Sequence, residues 1–251
     1  MMGNFKKKKR NTFSGAVVNQ KTLHKNLEFT AREQYKLLRT NLSFTLSEDE
    51  KCPIVGITSS IKGEGKSTTA VNLSYVLAES GKKVLLIDAD LRIPSIAKKM
   101  RIASSPGLTD LLKIGGIELL ADFEFMHYNN WYIMPSGELP PNPSELLSSS
   151  KMGKLLEGLK EIFDYIIIDL PPINLVSDAL AISKYITGMV LVIREDYIEK
   201  PELEAGVRQL RLSNVKLLGC VLNESNGNKG YYRKYKDKSY YKYYSTYGAN
   251  K

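Results

Sequence analysis

The run Ile-Val-Gly-Ile-Thr-Ser-Ser-Ile-Lys-Gly-Glu-Gly-Lys-Ser at 54–67 constrains this chain more than any other stretch. An apolar, β-branched segment leads into a turn with two glycines, a lysine and a hydroxyl, and a helical pattern follows. Strand, glycine-rich loop and helix start, in that order, are the context of a P-loop. Gly63 and Gly65 let consecutive backbone N–H groups turn toward one point, and the positive end of the next helix adds to them. Lys66 is then set to reach the β- and γ-phosphates of a nucleotide, and the Ser67 hydroxyl to ligate Mg2+. The usual pattern has a further glycine at the position of Ser60, where this loop has none.

A chain of 251 residues makes one large domain or two small ones and can bury a sizeable core. No apolar run approaches the length of a membrane span. The basic N-terminus has no apolar segment behind it, so no secretory signal is expected. Two cysteines, Cys52 and Cys220, suit a reducing compartment, and a cytoplasmic location follows as the expectation. Charge is unevenly placed. Residues 1–25 carry seven Lys/Arg and no acid, and residues 228–251 carry seven against Asp237 alone. The ends thus carry +7 and +6 of a net +9, leaving the body acidic by four charges. That distribution argues against a basic nucleic-acid-binding face, and no nucleic acid is expected as a partner. The ends are either solvated tails or segments drawn to anionic lipid.

Residues 1–29 read as a basic, disordered arm, 30–225 as the folded domain, and 226–251 as a tail. From 30 the pattern is helical, with Tyr35, Leu37, Leu38, Leu42 and Phe44 as its apolar positions, and Thr30 and Glu33 as a capping box. Glu33, Lys36 and Arg39 recur every third residue and are expected together on the solvent side. A helix is predicted over 67–80, stopped by Gly81, then a buried strand over 84–87 and a short helix near 108–112. Strand-like pieces at 123–134 precede a Pro/Gly-rich loop and helices at 144–149 and 151–163. A strand at 165–168, a helix at 177–185, a strand at 189–193, a helix at 201–212 and a strand at 215–222 complete the series. The alternation means a mostly parallel α/β sheet with helices on both faces.

In such a sheet ligands bind beyond the carboxyl ends of the strands. Asp88, Asp90 and Asp169 all lie at such ends, on the edge that carries the loop. Magnesium needs one or two carboxylates besides water and phosphate oxygens, which leaves one carboxylate free to accept a proton. Asp122 and Asp178 read instead as turn or helix caps. After residue 226 the only aliphatic is Ala249, and eight of the fifteen tyrosines appear: Tyr231, Tyr232, Tyr235, Tyr240, Tyr241, Tyr243, Tyr244 and Tyr247.

The loop, the run Leu85-Leu86-Ile87-Asp88-Ala89-Asp90-Leu91-Arg92-Ile93-Pro94, the run Phe163-Asp164-Tyr165-Ile166-Ile167-Ile168-Asp169-Leu170-Pro171-Pro172 and the tyrosine-rich end together resemble a bacterial tyrosine kinase of the capsule and exopolysaccharide type. Pro140-Pro141-Asn142-Pro143-Ser144-Glu145-Leu146-Leu147 is similar to that family as well. The resemblance implies a P-loop NTPase-type fold, ATP and Mg2+ as cofactors, and transfer of phosphate to protein tyrosine. It implies a nucleotide loop of Ser60, Lys62, Gly63, Glu64, Gly65, Lys66, Ser67 and Thr68, with Asn223 facing the adenine. Asp88 becomes the base that accepts the tyrosine proton. Asp90 acts beside it, and Ser67, Asp90 and Asp169 order the metal. The eight tyrosines become phospho-acceptors. Glu33, Lys36 and Arg39 match a subunit-contact motif for a ring-like oligomer, with Lys36 where an arginine is usual. A membrane-anchored activator with a cytoplasmic C-terminal segment and a cognate tyrosine phosphatase are the implied partners, the activator bringing the enzyme to the inner face of the membrane.

Two other readings share the loop. A partitioning or septum-positioning ATPase has a signature lysine five residues before the loop lysine, where this chain has Ile61, with Lys62 one place out of register. A non-enzymatic adaptor would bind ATP and gate a polysaccharide-export complex without labelling the tail.

Overall fold

Strands that are apolar along their whole length need cover on both faces. The computed structural model, which describes residues 26–224 apart from 48, 115–122 and 124, has that cover. Its described strands are β1 (Ile54–Ser59), β2 (Val84–Asp88), β3 (Met126–Tyr128), β4 (Trp131–Met134), β5 (Tyr165–Asp169), β6 (Gly188–Arg194) and β7 (Leu217–Asn223). They form one sheet in the order β3-β4-β2-β5-β1-β6-β7. Every pairing is parallel except that of β3 with β4, a hairpin at one edge.

The described helices are α1 (Phe29–Thr45), α2 (Lys66–Glu79), α3 (Ile96–Met100), α4 (Leu108–Ile114), α5 (Pro143–Ser148), α6 (Ser150–Lys160), α7 (Asp178–Ala181) and α8 (Lys200–Leu212), with a 3-10 turn at Ser183–Tyr185. Successive strand residues face opposite sides of the sheet. Val55, Ile57, Leu86, Ile167 and Val190 therefore pack with α1, α2 and α3, while Ile54, Leu85, Ile87, Ile168 and Leu191 pack with α4 to α8. This is the mostly parallel sheet with helices on both faces that the alternation predicts. Most boundaries fall within a residue or two of expectation. Gly81 ends α2 as expected, at φ +92, with its N–H on the Ala78 carbonyl at 3.0 Å.

Several local expectations are corrected. The helix α1 starts at Phe29 with Glu28 at its N-cap and no side-chain cap, so Thr30 caps nothing. Glu33 instead binds the Lys36 ammonium at 2.8 Å. Tyr35, Leu38 and Leu42 join the core, but Leu37 and Phe44 are 53% and 82% exposed. Arg39 does not face solvent with Glu33 and Lys36. Each three-residue step falls about 60° short of a full helical turn, so Arg39 lies about 120° around from Glu33. There its Nη1 donates to the Val76 carbonyl of α2 at 2.9 Å.

The helix expected over 177–185 is broken into α7 and the 3-10 turn. Ser177, not Asp178, sits at the N-cap of α7, and Asp178 is drawn into an ion pair with Arg92. Residues 1–25 of the arm expected over 1–29, Asp122 and all eight clustered tyrosines lie outside the described residues, while Phe29 at the arm's end already belongs to α1.

One buried polar contact fastens α2 to the edge of the sheet. Trp131 of β4 is 2% exposed and its indole N–H donates to the Ser74 hydroxyl at 2.9 Å. Ser74 in turn donates to the Val71 carbonyl, so it keeps a partner if the indole is lost. Trp131→Phe should then cost about 1–3 kcal/mol, from one hydrogen bond and a small cavity. A urea titration should show a lower midpoint with an unchanged slope.

Candidate active site

The strand β1 ends at Ser59, the chain turns through 60–65, and α2 starts at Lys66. Gly63 and Gly65 sit at φ +94 and +93, which side-chain-bearing residues rarely adopt. A Cβ on Gly65 would lie 2.0 Å from the Asn223 Nδ2, and one on Gly63 would lie 2.6 Å from the Tyr197 hydroxyl. Ser60, where a glycine is usual, is not among the residues with positive φ. What it needs is space, and α8 leaves it: a Cβ on Gly206 would lie 2.5 Å from Ser60 Oγ. The glycine missing from the loop is matched by one on the helix packed against it.

The three carboxylates meet as the strand ends predict. Asp88 and Asp169 are paired across β2 and β5, and both are fully buried, with Asp90 5% exposed. The Lys66 ammonium lies among them, 2.8 Å from Asp90 Oδ2, 3.4 Å from Asp169 Oδ1 and 3.3 Å from Ser67 Oγ. Burial pushes the Lys66 pKa down, but Asp169 and Asp90 outweigh it and the net shift is upward. Asp88 Oδ2 accepts the N–H groups of Ser95 and Ile96, at 3.1 and 2.9 Å, at the start of α3. Burial, and after it the Asp169 charge, push the Asp88 carboxyl up to about 7. Burial likewise raises Asp169.

Asp88 Oδ1 and Asp169 Oδ2 are buried and accept no hydrogen bond. Among the described residues no group of three or more His, Cys, Asp or Glu is arranged as a metal cage. Magnesium on a nucleotide does not need one, because water and phosphate oxygens complete its shell. The unpaired oxygen on Asp169, with Asp90 and the Ser67 hydroxyl nearby, suits such an ion.

Other residues of the loop have parts that the sequence did not show. Glu64 is fully buried, with Oε2 on the Ile61 N–H at 2.8 Å and Oε1 on the Arg194 N–H at 3.3 Å. Its carboxylate thus staples the loop internally, and burial raises its pKa. Lys62 is exposed, and its carbonyl accepts the Tyr197 hydroxyl at 3.1 Å. Thr68 accepts from Lys99 of α3 at 3.3 Å. Asn223, at the end of β7, donates to the Glu64 carbonyl at 2.9 Å, which sets it against the loop. Arg194 ends β6, the same kind of position that singled out Asp88, and that rule could have found it. Arg92 holds the buried Asp178 through two contacts, at 2.7 and 3.1 Å, and Ser144 also donates to that carboxylate. The segment after Asp90 is thereby braced against α5 and α7. The row Glu33, Lys36 and Arg39 lies apart from the loop, on α1.

Because folding raises the Asp88 pKa, the folded chain keeps a proton that the unfolded chain has already released between pH 4 and 7. The stability of the nucleotide-free protein should therefore fall as pH rises through that window and level off above it. Asp88→Asn can keep the two N–H contacts while removing the buried charge. At pH 8 it should melt several degrees above the wild type, with a flatter pH profile by scanning calorimetry. Equal melting temperatures at pH 8 would show that the buried charge carries no such cost.

The family model described as AAA domain matches residues 53–198. The tyrosine-protein kinase YwqD of Bacillus subtilis is 41% identical over 205 residues, covering 80% of this chain and 85% of that protein. The tyrosine-protein kinase CpsD of Streptococcus agalactiae is 39% identical over 204 residues, covering 81% and 87%. Among solved structures, the kinase domain of the Escherichia coli tyrosine kinase ETK superposes with a TM-score of 0.69 at 32% identity, covering 77% of this chain and 75% of that one. With the loop, the carboxylates and the sheet order all in place, the chain belongs to the bacterial tyrosine-protein kinases.

Proposed function

We propose that this kinase passes the γ-phosphoryl group of ATP to tyrosines of its own 226–251 segment and, through that modification, regulates capsular or exopolysaccharide synthesis and export. The observation that carries the proposal is the meeting of Lys66 with Asp88, Asp90 and Asp169 beside the loop. One ammonium and three carboxylates there form a donor site with a base whose carboxyl is pushed up to about 7, close to working pH.

In this mechanism the N–H groups of the loop from Ser60 to Thr68 hold the phosphates, and Asn223 flanks the adenine side. Lys66 leaves Asp90 and Asp169 for the β- and γ-phosphates. The tyrosine oxygen bonds to the γ-phosphorus as the bond to the bridging oxygen of ADP breaks, and its proton passes to Asp88. Ser67, Asp90 and Asp169 would hold a Mg2+ ion, which would supply positive charge against the phosphate oxygens. The acceptor hydroxyls belong to the same chain or to a neighbouring copy. Each phosphotyrosine adds about −1.5 to −2, so three or four offset the tail charge and change which surfaces attract it.

Kinship supports a wider setting. A membrane-anchored activator with a cytoplasmic C-terminal segment recruits the enzyme to the inner face of the membrane, and a tyrosine phosphatase reverses its action. No helix among the described residues is long and apolar enough to cross a membrane. Ring-like self-association uses α1, where Glu33 and Lys36 pair at the surface and Leu37 is exposed nearby. Arg39 takes part through its hold on α2.

The test is labelling of the purified chain with Mg-ATP, with and without the activator's cytoplasmic segment, read by anti-phosphotyrosine blot. Lys66→Met or Asp88→Asn should lower tail labelling by about 100-fold or more while the fold survives. Replacing all eight tail tyrosines by Phe should end self-labelling and leave ATP binding intact. If the wild type binds ATP beside its activator and its tail stays unlabelled, a nucleotide-gated adaptor is the better description.

A further inference from the structure

Glu224 follows β7 directly, two residues before the tyrosine-bearing segment 226–251 begins. Glu224 adopts φ +51, and its Oε2 lies 2.5 Å from Arg194 Nη2. The same guanidinium reaches back to the nucleotide loop, with Nη1 donating to the Gly63 carbonyl at 3.4 Å. Its central carbon lies 4.6 Å from the Tyr197 ring centre, and the Tyr197 hydroxyl holds the Lys62 carbonyl. The backbone repeats the connection: the Arg194 N–H is on the Glu64 carboxylate, while the Glu195 N–H is on the Asn223 carbonyl. One planar cation with a fixed fork of donors thus touches both the phosphate loop and the root of the tail.

We propose that Arg194 is a positioning residue that couples the two, so that the occupancy of the nucleotide loop and the placement of the tail root bias one another through a shared guanidinium. The inference rests on 54–67 being the nucleotide loop, and it adds a regulatory link that the transfer mechanism does not require. With Glu224 engaged, the guanidinium is held at the edge of the loop and its charge is partly neutralised. Released from Glu224, it can follow the loop as phosphates enter and offer them the N–H groups of the fork that Glu224 had occupied. Coupling between two ligands of one element is reciprocal, so a nucleotide that draws Arg194 inward must loosen Glu224 to the same degree.

The experiment is a double-mutant cycle on ADP affinity, measured by titration calorimetry on the full chain at low salt. Glu224→Gln is expected to tighten ADP binding about threefold in the wild-type background, a size suited to a half-exposed ion pair. In an Arg194→Ala background the same change should alter affinity by less than 1.5-fold. Arg194→Lys, which keeps the charge but loses the fork, should behave like Arg194→Ala and also guards against a folding defect in the alanine variant. A second readout is tryptic cleavage at Lys229 or Arg233, whose rate should respond to ADP in the wild type and not in the Arg194 variants. An equal effect of Glu224→Gln in both backgrounds would mean simple through-space repulsion, and no effect in the wild type would mean no link. Either result overturns the proposal. A wild type that does not bind ADP at all would instead overturn the nucleotide-loop reading on which it rests.

Discussion

A single ammonium makes it feasible to gather three carboxylates at one dry sheet edge. Asp88 and Asp169 are fully buried and Asp90 nearly so, and carboxylates taken from water without a counter-charge would be strongly disfavoured. Lys66 lies within reach of two of them and lowers the charge cost of all three. The balance is incomplete, since Asp88 and Asp169 still hold protons more tightly than ordinary carboxyl groups. Burial is the larger cause for both, and repulsion among the carboxylates adds to it. In the proposed mechanism a nucleotide with its metal would relieve that repulsion on arrival.

The remainder of the architecture holds this edge still. The strands β1, β2 and β5 present the loop and the acids side by side because they are neighbours in the sheet, with β5 between the other two. The first turn of α3 donates two N–H groups to Asp88, the pair Arg92–Asp178 braces the segment after Asp90, and the ends of β6 and β7 grip the outer side of the loop. Helices packed on both faces exclude water from beneath the carboxylates. Little of the site hangs on loops alone.

How much of this was legible in the sequence depended on how local each signal was. The loop, the Asp residues at strand ends and the alternation of strands and helices are written in contiguous residues, and they emerged with nearly the expected boundaries. Contacts between residues far apart in the chain were hidden. Asp178 reads as a cap until Arg92, 86 positions away, is seen to claim it. Glu64 reads as one more polar loop residue, yet its side chain points inward and stitches the loop to β6. The charge row on α1 was misjudged for a geometric reason, because a three-residue spacing drifts around the helix instead of running along it. Leu37 and Phe44 stand among the apolar positions of that pattern, but each follows a core residue by two places, about 200° around the helix, and is turned outward.

The fit between Ser60 and Gly206 has a bearing on how such a chain can change over time. The hydroxymethyl group of the loop fills the place that a larger residue on α8 would claim. Position 60 must therefore shrink before position 206 can grow, and the opposite order passes through a clash beside the phosphate loop. Change at these two sites is therefore ordered: a glycine at 60 frees the helix position, and a serine there keeps it tied to a bare backbone.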